Sequence, residues 1–367
     1  MKTVILFIPH LGVGGAELQL ALLAPRLRAA GWEPLVATLE DLHGTASGFT
    51  ESGVEVVFLP RQGRSGADTI SGLQRLTRRR RADVVHAWLW ASNWRAAVAR
   101  LFTRDVPVIA SIRSMEDDLG PPHMIAYRTL SPLIAAIVVN SAAVLDRHAG
   151  RTGISRDKYR LVRNGVELSR LDREGATPAP LRWDPEQRPV VGYVGTLHPR
   201  KRAASLAPLA ATIVARVPGA RFLIVGGGPE RERLEAACAR LAIADRFELV
   251  GYAASVAPYL RRMSVLVHPS MNEGSSNSIL EAMALGVPVA AYAVSGNKET
   301  VTHRVTGLLA EDGNEAQLAS AVADLLEDPG MARRLGEAAR ERIARDYSVD
   351  AMVAATVAVY EGALSRR

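Results

Sequence analysis

Residues 265–299 read VLVHPSMNEGSSNSILEAMALGVPVAAYAVSGNKE, and the fold follows from how this stretch divides. Val265 to His268 is a short continuous apolar run, the mark of a strand buried on both faces. From Ser276 to Ala284 the residues Ile279, Leu280 and Met283 recur at helical spacing, so a loop gives way to a helix. Pro288 to Tyr292 is a second buried strand, closed by a turn at Ser295 to Glu299. A strand, a helix and a strand in so short a span predict a parallel pair joined by a helical crossover, the unit of α/β sheets.

The same division places chemistry. Glu273 stands in the loop before the helix, and Glu281 lies two turns inside it. With seven residues between them, their main-chain positions should be roughly 12 Å apart or slightly less, at about 1.5 Å per residue. That is too far to share a proton, but it suits the two ends of one elongated ligand. The N–H groups of Ser276, Asn277 and Ser278 at the helix start would face an anion between them. A nucleoside diphosphate sugar has this layout.

Outward from this stretch, strand and helix keep alternating. Val190 to Val194 is a strand ending at Gly195, followed by the basic loop TLHPRKR at 196–202 with Lys201 within it. Arg221 to Val225 runs into Gly226, Gly227, Gly228 and Pro229, then a helix from Glu230 to Leu241 with acids in its first turn, a good helix start. Phe247 to Tyr252 is a further strand and turn. In the first half, Thr3 to Ile8 leads into HLGVGGAE at 10–17 and a helix carrying Leu18, Leu22 and Leu27. Gly14 and Gly15 allow close backbone approach to a ligand at that helix start. A dinucleotide fingerprint would want a third Gly at position 17, where Glu17 stands. Strands are also expected at 33–39, 54–59, 82–86, 106–112, 134–140 and 161–166. His86 would then close its strand at the carboxyl end, where α/β sheets place ligand groups. The proline-rich stretch from Asp172 to Pro189 reads as a linker.

The Glu273-to-Glu281 spacing, with EAMALGVPV at 281–289 and Gly296-Asn297-Lys298-Glu299, resembles the donor signature of the family 4 glycosyltransferases, retaining enzymes of GT-B fold. The resemblance implies two Rossmann-like, doubly wound domains facing a cleft. It divides the chain into an acceptor-side domain (1–171), a linker (172–189), a donor domain (190–347) and a C-terminal helix (348–367) that crosses back to the first domain. It implies sugar hydroxyl contacts for Glu273, ribose contacts for Glu281, and donor contacts for Gly195, Gly274, Ser275, Ser276, Asn277 and Ser278. Lys201 would meet the diphosphate, with Arg200 or Arg202 replacing the Arg that relatives carry where Thr196 stands. Glu299 would orient Lys201 or a donor hydroxyl. Gly14 and Gly15 carry over from a Gly-Gly-Ala-Glu turn near the donor phosphates and acceptor. His86 resembles the family's His-Ala-His type segment. Many relatives have a His at the position of Arg113; a guanidinium stays protonated and cannot act as a base, though it can hold a phosphate or an acidic acceptor.

The implied reaction moves a sugar from a nucleotide diphosphate sugar, a UDP-sugar first, to the hydroxyl of a saccharide, a lipid-linked molecule or a small molecule. The alternatives are an epimerase or hydrolase acting on the same donor, and a non-catalytic partner subunit that keeps the fold. No bound metal is expected. Glu116, Asp117 and Asp118 read as a solvated acidic loop with no strand leading directly into Asp117.

Composition sets the outer bounds. A chain of 367 residues that is 48% hydrophobic can fill two cores. The formal charge of +7 favours anionic partners: a nucleotide sugar, a lipid-linked phosphate, or an acidic membrane surface touched peripherally. No nucleic-acid motif is present. The run Arg78 to Arg81 reads as a solvated helix end or a contact with such a surface. The single Cys238 excludes an internal disulfide and reads as a buried thiol. Pro9 and His10 cut short the only signal-like segment, and no apolar run approaches the roughly 18 residues needed to span a bilayer. A cytoplasmic protein is expected.

Overall fold

A computed structural model of the chain describes residues 1–41, 45–60, 66–103, 105–116, 118–184 and 188–365. The chain forms two compact units, one of Met1–Gly165 with Val349–Arg367 and one of Val166–Ser348.

The first unit is built on a seven-stranded parallel sheet: β1 (Lys2–Phe7), β2 (Trp32–Thr38), β3 (Glu55–Phe58), β4 (Val84–Trp88), β5 (Val108–Ile112), β6 (Ala136–Val139) and β7 (Tyr159–Leu161). Their order is β3-β2-β1-β4-β5-β6-β7, so the winding direction reverses between β1 and β4. Val4 to Phe7 are fully buried and β4 and β5 are buried throughout, as expected for strands covered by helices on both faces. Helix α1 (Gly15–Leu23) follows β1. Helix α2 (Ala67–Arg80) precedes β4 and ends in the arginine run, with Arg81 as its left-handed C-cap. The C-terminal helix, Val349–Leu364, packs on the same core through Met352, Val353, Val359 and Tyr360. Tyr360 lies edge-on to Trp32, ring centres 5.0 Å apart. Each such side chain contributes roughly 1.5–3 kcal/mol by leaving water.

The second unit holds a six-stranded parallel sheet: β8 (Val190–Val194), β9 (Arg221–Val225), β10 (Phe247–Gly251), β11 (Val265–His268), β12 (Val289–Tyr292) and β13 (Leu308–Ala310). The order is β10-β9-β8-β11-β12-β13, reversing between β8 and β11. Three short helices matter for the site: α3 (Leu168–Glu174), α4 (Asn277–Ala284) and α5 (Ser295–Thr300). Ile279, Leu280, Ala282 and Met283 seal α4 onto the sheet with no exposure.

The strand expected at 161–166 lies at Tyr159–Leu161, and Glu116, expected in a solvated loop, is buried and accepts from the Tyr127 hydroxyl. Two further expectations need correction. The boundary between the units falls at Gly165/Val166, not within 172–189, and the start of that stretch is the end of α3. Asp172 there accepts from Arg340 at 2.6 Å and from Arg261 at 2.8 Å, so it is tied into the second unit. Residues 185–187 of the stretch lie outside the described residues, as does Asp117. Second, β4 runs on to Trp88, because Ala87 and Trp88 are as buried as the residues before them. His86 therefore sits inside the strand rather than at its carboxyl end.

Candidate active site

At the end of β8 the chain turns through Gly195, whose φ of +155° is open to glycine. Its N–H donates to the Val225 carbonyl at 3.0 Å, and a Cβ on Gly226 would lie 2.0 Å from the Gly195 carbonyl oxygen. The loops after β8 and β9 thus touch backbone to backbone. Beyond Gly195, His198 accepts the Arg200 N–H and starts the short turn Pro199–Lys201. This turn aims Lys201 at the loop after β11, where its ammonium pairs with the Glu273 carboxylate.

Glu273 is nearly buried, with 8% of its surface exposed. His268, the last residue of β11, brings Nε2 to 3.2 Å from the same carboxylate oxygen. Burial alone would raise the Glu273 pKa; Lys201 and His268 outweigh it and hold the group well below the ordinary carboxylate range. Glu273 is therefore ionised at neutral pH. Helix α4 begins just after this loop. Its N-cap, Ser276, makes no side-chain cap bond to the helix and has its hydroxyl 3.0 Å from that of Ser278.

Glu281 is buried within α4, and its Oε1 lies 3.5 Å from Arg170 Nη2 on α3. Burial pushes its pKa up to about 7 against the pull of Arg170. The two carboxylates of the spacing thus differ in state: Glu273 is fixed as an anion, Glu281 is poised near neutrality.

The neighbouring positions sort themselves by partner. Arg202 binds Asp312 at 3.0 Å and lies over the Tyr292 ring at 5.2 Å. Arg200 is exposed, and its carbonyl accepts from the Met271 N–H at 3.5 Å. Glu299 is half-buried on α5, and its carbonyl accepts from Arg342 and the Tyr347 hydroxyl. The carboxylate that pairs with Lys201 is Glu273.

In the first unit, Gly14 caps α1 and Gly15 opens it, just after β1 where the strand order reverses. Glu17, at the place of a third fingerprint glycine, is buried and lies 3.1 Å from His10 Nδ1. A Cβ on Gly14 would press on the Glu17 carboxylate at 2.3 Å. Arg113 follows β5, donates to Asn164 Oδ1 at 2.7 Å and lies over the Trp88 ring at 4.7 Å. Burial lowers its pKa to about 10, which leaves it charged at pH 7. His86 is 1% exposed, with Nδ1 2.8 Å from the Tyr360 hydroxyl and Nε2 without a partner among the described residues. Burial and then Arg113 lower its pKa to about 3, so its imidazole is neutral.

Comparison with known proteins adds the family. Residues 13–170 match the family model "Glycosyltransferase Family 4" and residues 182–342 match "Glycosyl transferases group 1". The chain is a family 4 glycosyltransferase of GT-B fold. This glycosyltransferase is 28% identical over 311 residues, 80% of each chain, to a 2-deoxystreptamine glucosyltransferase of Streptomyces kanamyceticus. It is 36% identical over 187 residues to a GDP-mannose-dependent alpha-mannosyltransferase of Mycolicibacterium smegmatis, spanning 50% of this chain and 46% of that one. Among solved structures it resembles Anabaena Alr3699/HepE in complex with UDP, with a TM-score of 0.84, 19% identity, and coverage of 98% of this chain and 100% of that one; the likeness is one of fold.

Two residues of the glycosyltransferase escaped sequence reading. His268 reads only as a strand end, and its signal was position, since side chains at a strand's carboxyl end reach the ligand edge of an α/β sheet. Arg170 belongs to a seven-residue charged helix with a single buried residue, Leu171, so no apolar period marks it. Among the described residues no group of three or more His, Cys, Asp or Glu could hold a metal ion, and no helix is long and apolar enough to cross a membrane.

Proposed function

We propose that the glycosyltransferase moves a sugar from a UDP-sugar to an acceptor hydroxyl with retention of anomeric configuration. The observation that carries this reading is the Lys201–Glu273–His268 cluster. It joins the loops after β8 and β11, the two strands between which the strand order reverses, and open α/β sheets bind their ligands outside the carboxyl ends of strands at that reversal. Glu273, ionised and fixed, accepts from hydroxyls of the transferred sugar. Lys201, Arg200 and the first amides of α4 stabilise the departing diphosphate, the main catalytic contribution where charge grows in the transition state. Arg200, exposed beside Lys201, is the arginine we assign to this role. Gly195, Gly274 and Ser275 let the backbone come close, Glu281 accepts from the ribose, and Glu299 borders the sugar.

In the reaction, the bond from the anomeric carbon to the phosphate oxygen breaks. The acceptor oxygen bonds to that carbon on the same face, and its proton passes to the departing diphosphate. No protein nucleophile and no resident metal is required. UDP is supported by the Anabaena protein, whose structure is a complex with UDP; the relative named for GDP-mannose makes a GDP-sugar the second choice. On the first unit we assign Gly14, Gly15 and Arg113 to the acceptor, the charged Arg113 suiting a phosphate or carboxylate on a saccharide, lipid-linked or small-molecule acceptor. The 2-deoxystreptamine relative supports the small-molecule class. We read the enzyme as cytoplasmic, its charge of +7 favouring peripheral contact with an anionic inner leaflet.

Thermal unfolding with UDP, GDP, ADP and NAD, followed by nucleotide-release assays with and without acceptor pools, tests this reading. A ligand at about 100 times its Kd adds roughly 2.7 kcal/mol. A shift with UDP, and release that requires an acceptor, support transfer. Release at the same rate without acceptor makes the protein a hydrolase or epimerase, and binding without any release makes it a non-catalytic subunit.

A further inference from the structure

Arg170 divides its guanidinium between two carboxylates. Nη1 lies 3.0 and 3.1 Å from the two oxygens of Glu174, one turn along α3, while Nη2 lies 3.5 Å from Oε1 of Glu281 on α4. Glu174 also accepts from the Ser255 hydroxyl. The better half of the fork is therefore spent on Glu174, and Glu281 receives a long, single contact. The other basic side chains at α4 lie at its far end: Arg340 donates to the Ala284 carbonyl, Arg261 to the Leu285 carbonyl, and both pair with Asp172. The charged groups that act on Glu281 are thus Arg170 and Glu174, both from α3.

A buried carboxylate that meets a ribose must be turned and charged so that two hydroxyls can donate to it. A fork that holds one carboxylate firmly and the other loosely leaves the second with lone pairs to give. We propose that Arg170 is the positioning residue of the donor's ribose, orienting Glu281, and that Glu174 sets how much of Arg170 is available to it by competing for the same guanidinium. This rests on the reading of Glu281 as the ribose carboxylate.

The position of Glu281 near neutrality provides a pH readout. Donor KM should fall as pH rises through about 7, as Glu281 ionises, with kcat flat over the same range. Glu174→Gln frees Arg170 for Glu281, and the KM limb moves to lower pH. Arg170→Met moves it to higher pH and raises donor KM at pH 7 roughly tenfold or more, the scale of a lost charge-assisted hydrogen bond. Arg170→Lys, which reaches one carboxylate at a time, recovers part of the loss. A merely structural role for Arg170 would lower thermal stability in these variants without moving the limb.

The experiment measures Kd from pH 6 to 8.5 for UDP and GDP, each beside its 2′-deoxy form, on wild type, Glu281→Ala, Arg170→Met, Arg170→Lys and Glu174→Gln. The positioning role is supported if Glu281→Ala removes the preference for the ribose form and the Arg170 and Glu174 variants shift the pH limb in opposite directions. If Glu281→Ala removes that preference but none of the three α3 variants moves the limb, the positioning role is overturned and the ribose role of Glu281 stands. If the preference survives Glu281→Ala, the placement of the donor itself is wrong.

Discussion

A Cβ placed on Gly296 would fall 1.8 Å from the carbonyl oxygen of Gly274 and 2.8 Å from that of Glu273. The Gly296 N–H meanwhile donates to the Glu273 carbonyl at 3.0 Å. The start of α5 and the loop that carries Glu273 are therefore packed backbone on backbone. The obstacle is main chain, so no side chain can swing aside to relieve it. Gly296→Ala should displace the Glu273 loop and lower kcat/KM by roughly tenfold or more, since misplacement by an ångström in a positioning loop costs on the order of 10²-fold. At Gly362, within the C-terminal helix, an added Cβ would meet nothing within 4 Å. Gly362→Ala should leave kinetics unchanged and raise stability by about 0.5–1 kcal/mol. Equal kinetics for the Gly296 variant and wild type would show that the Glu273 loop is not held from α5.

Arg200 and Arg202 are adjacent to the same lysine yet should respond differently. Arg202 has a left-handed backbone, an ion pair with Asp312 and the Tyr292 face beneath it. Arg202→Ala is expected to lower the thermal midpoint with a small effect on donor KM. Arg200→Ala is expected to weaken nucleoside diphosphate binding and lower kcat while leaving the midpoint near wild type. Isothermal titration with UDP beside thermal unfolding separates the two, and a reversal of the pattern would assign the diphosphate to Arg202.

Most strands of both units were legible because strands buried on both faces are written as continuous apolar runs; the short edge strands β7, expected at 161–166 and found at Tyr159–Leu161, and β13 were not. Val190–Val194, Arg221–Val225 and Val265–His268 lie where the sequence puts them. The Glu273 and Glu281 pair was legible because its spacing is local. The partner of Glu273 was not: Lys201 is 72 positions away, and only the order of the strands brings the loops after β8 and β11 together. His86 was misplaced because an apolar run does not say where burial stops, and Ala87 and Trp88 extend β4 by two residues. Arg170 was invisible because a helix of seven residues with one buried position carries no periodic signal.

His86 should not behave as a proton carrier in turnover. Its imidazole is buried against Tyr360 and held neutral, with burial the leading cause. A folded pKa near 3, below the ordinary 6.5, means that the unfolded chain binds the extra proton first. Stability is therefore present above about pH 6.5 and is lost as pH falls from there toward 3. His86→Asn keeps a polar partner for the Tyr360 hydroxyl and removes the titration. Its thermal midpoint should fall less than that of wild type between pH 7 and pH 5. The acid loss should not vanish, because His148, lowered to about 4 chiefly by burial, contributes with the same sign. Loss of a general acid or base costs roughly 10²–10⁴-fold, so a kcat close to wild type in this variant confirms the packing role and a loss of that size refutes it.

Lys201→Met tests both the chemistry and the electrostatics of the donor site. In turnover, removing the cation that faces the departing diphosphate should lower kcat by roughly 10²–10³-fold, with a smaller change in donor KM. In stability, Glu273 loses the stronger of the two groups that hold its pKa down, and burial then works unopposed except by His268. In the wild type a depressed carboxylate pKa stabilises the fold above about pH 4.5, and that contribution is lost as pH falls through the folded value. In the variant the folded pKa moves upward, so the same group contributes less stability above it than in the wild type. The gap in thermal midpoint between wild type and variant should therefore grow as pH rises through the interval between the two folded pKa values and level off above it, where it corresponds to roughly 1–3 kcal/mol. Glu273→Gln should shrink that gap, because a neutral amide needs no cation beside it. A gap that stays constant with pH, or that persists in the Glu273→Gln background, would mean that Lys201 stabilises the loop by packing and not through the charge of Glu273.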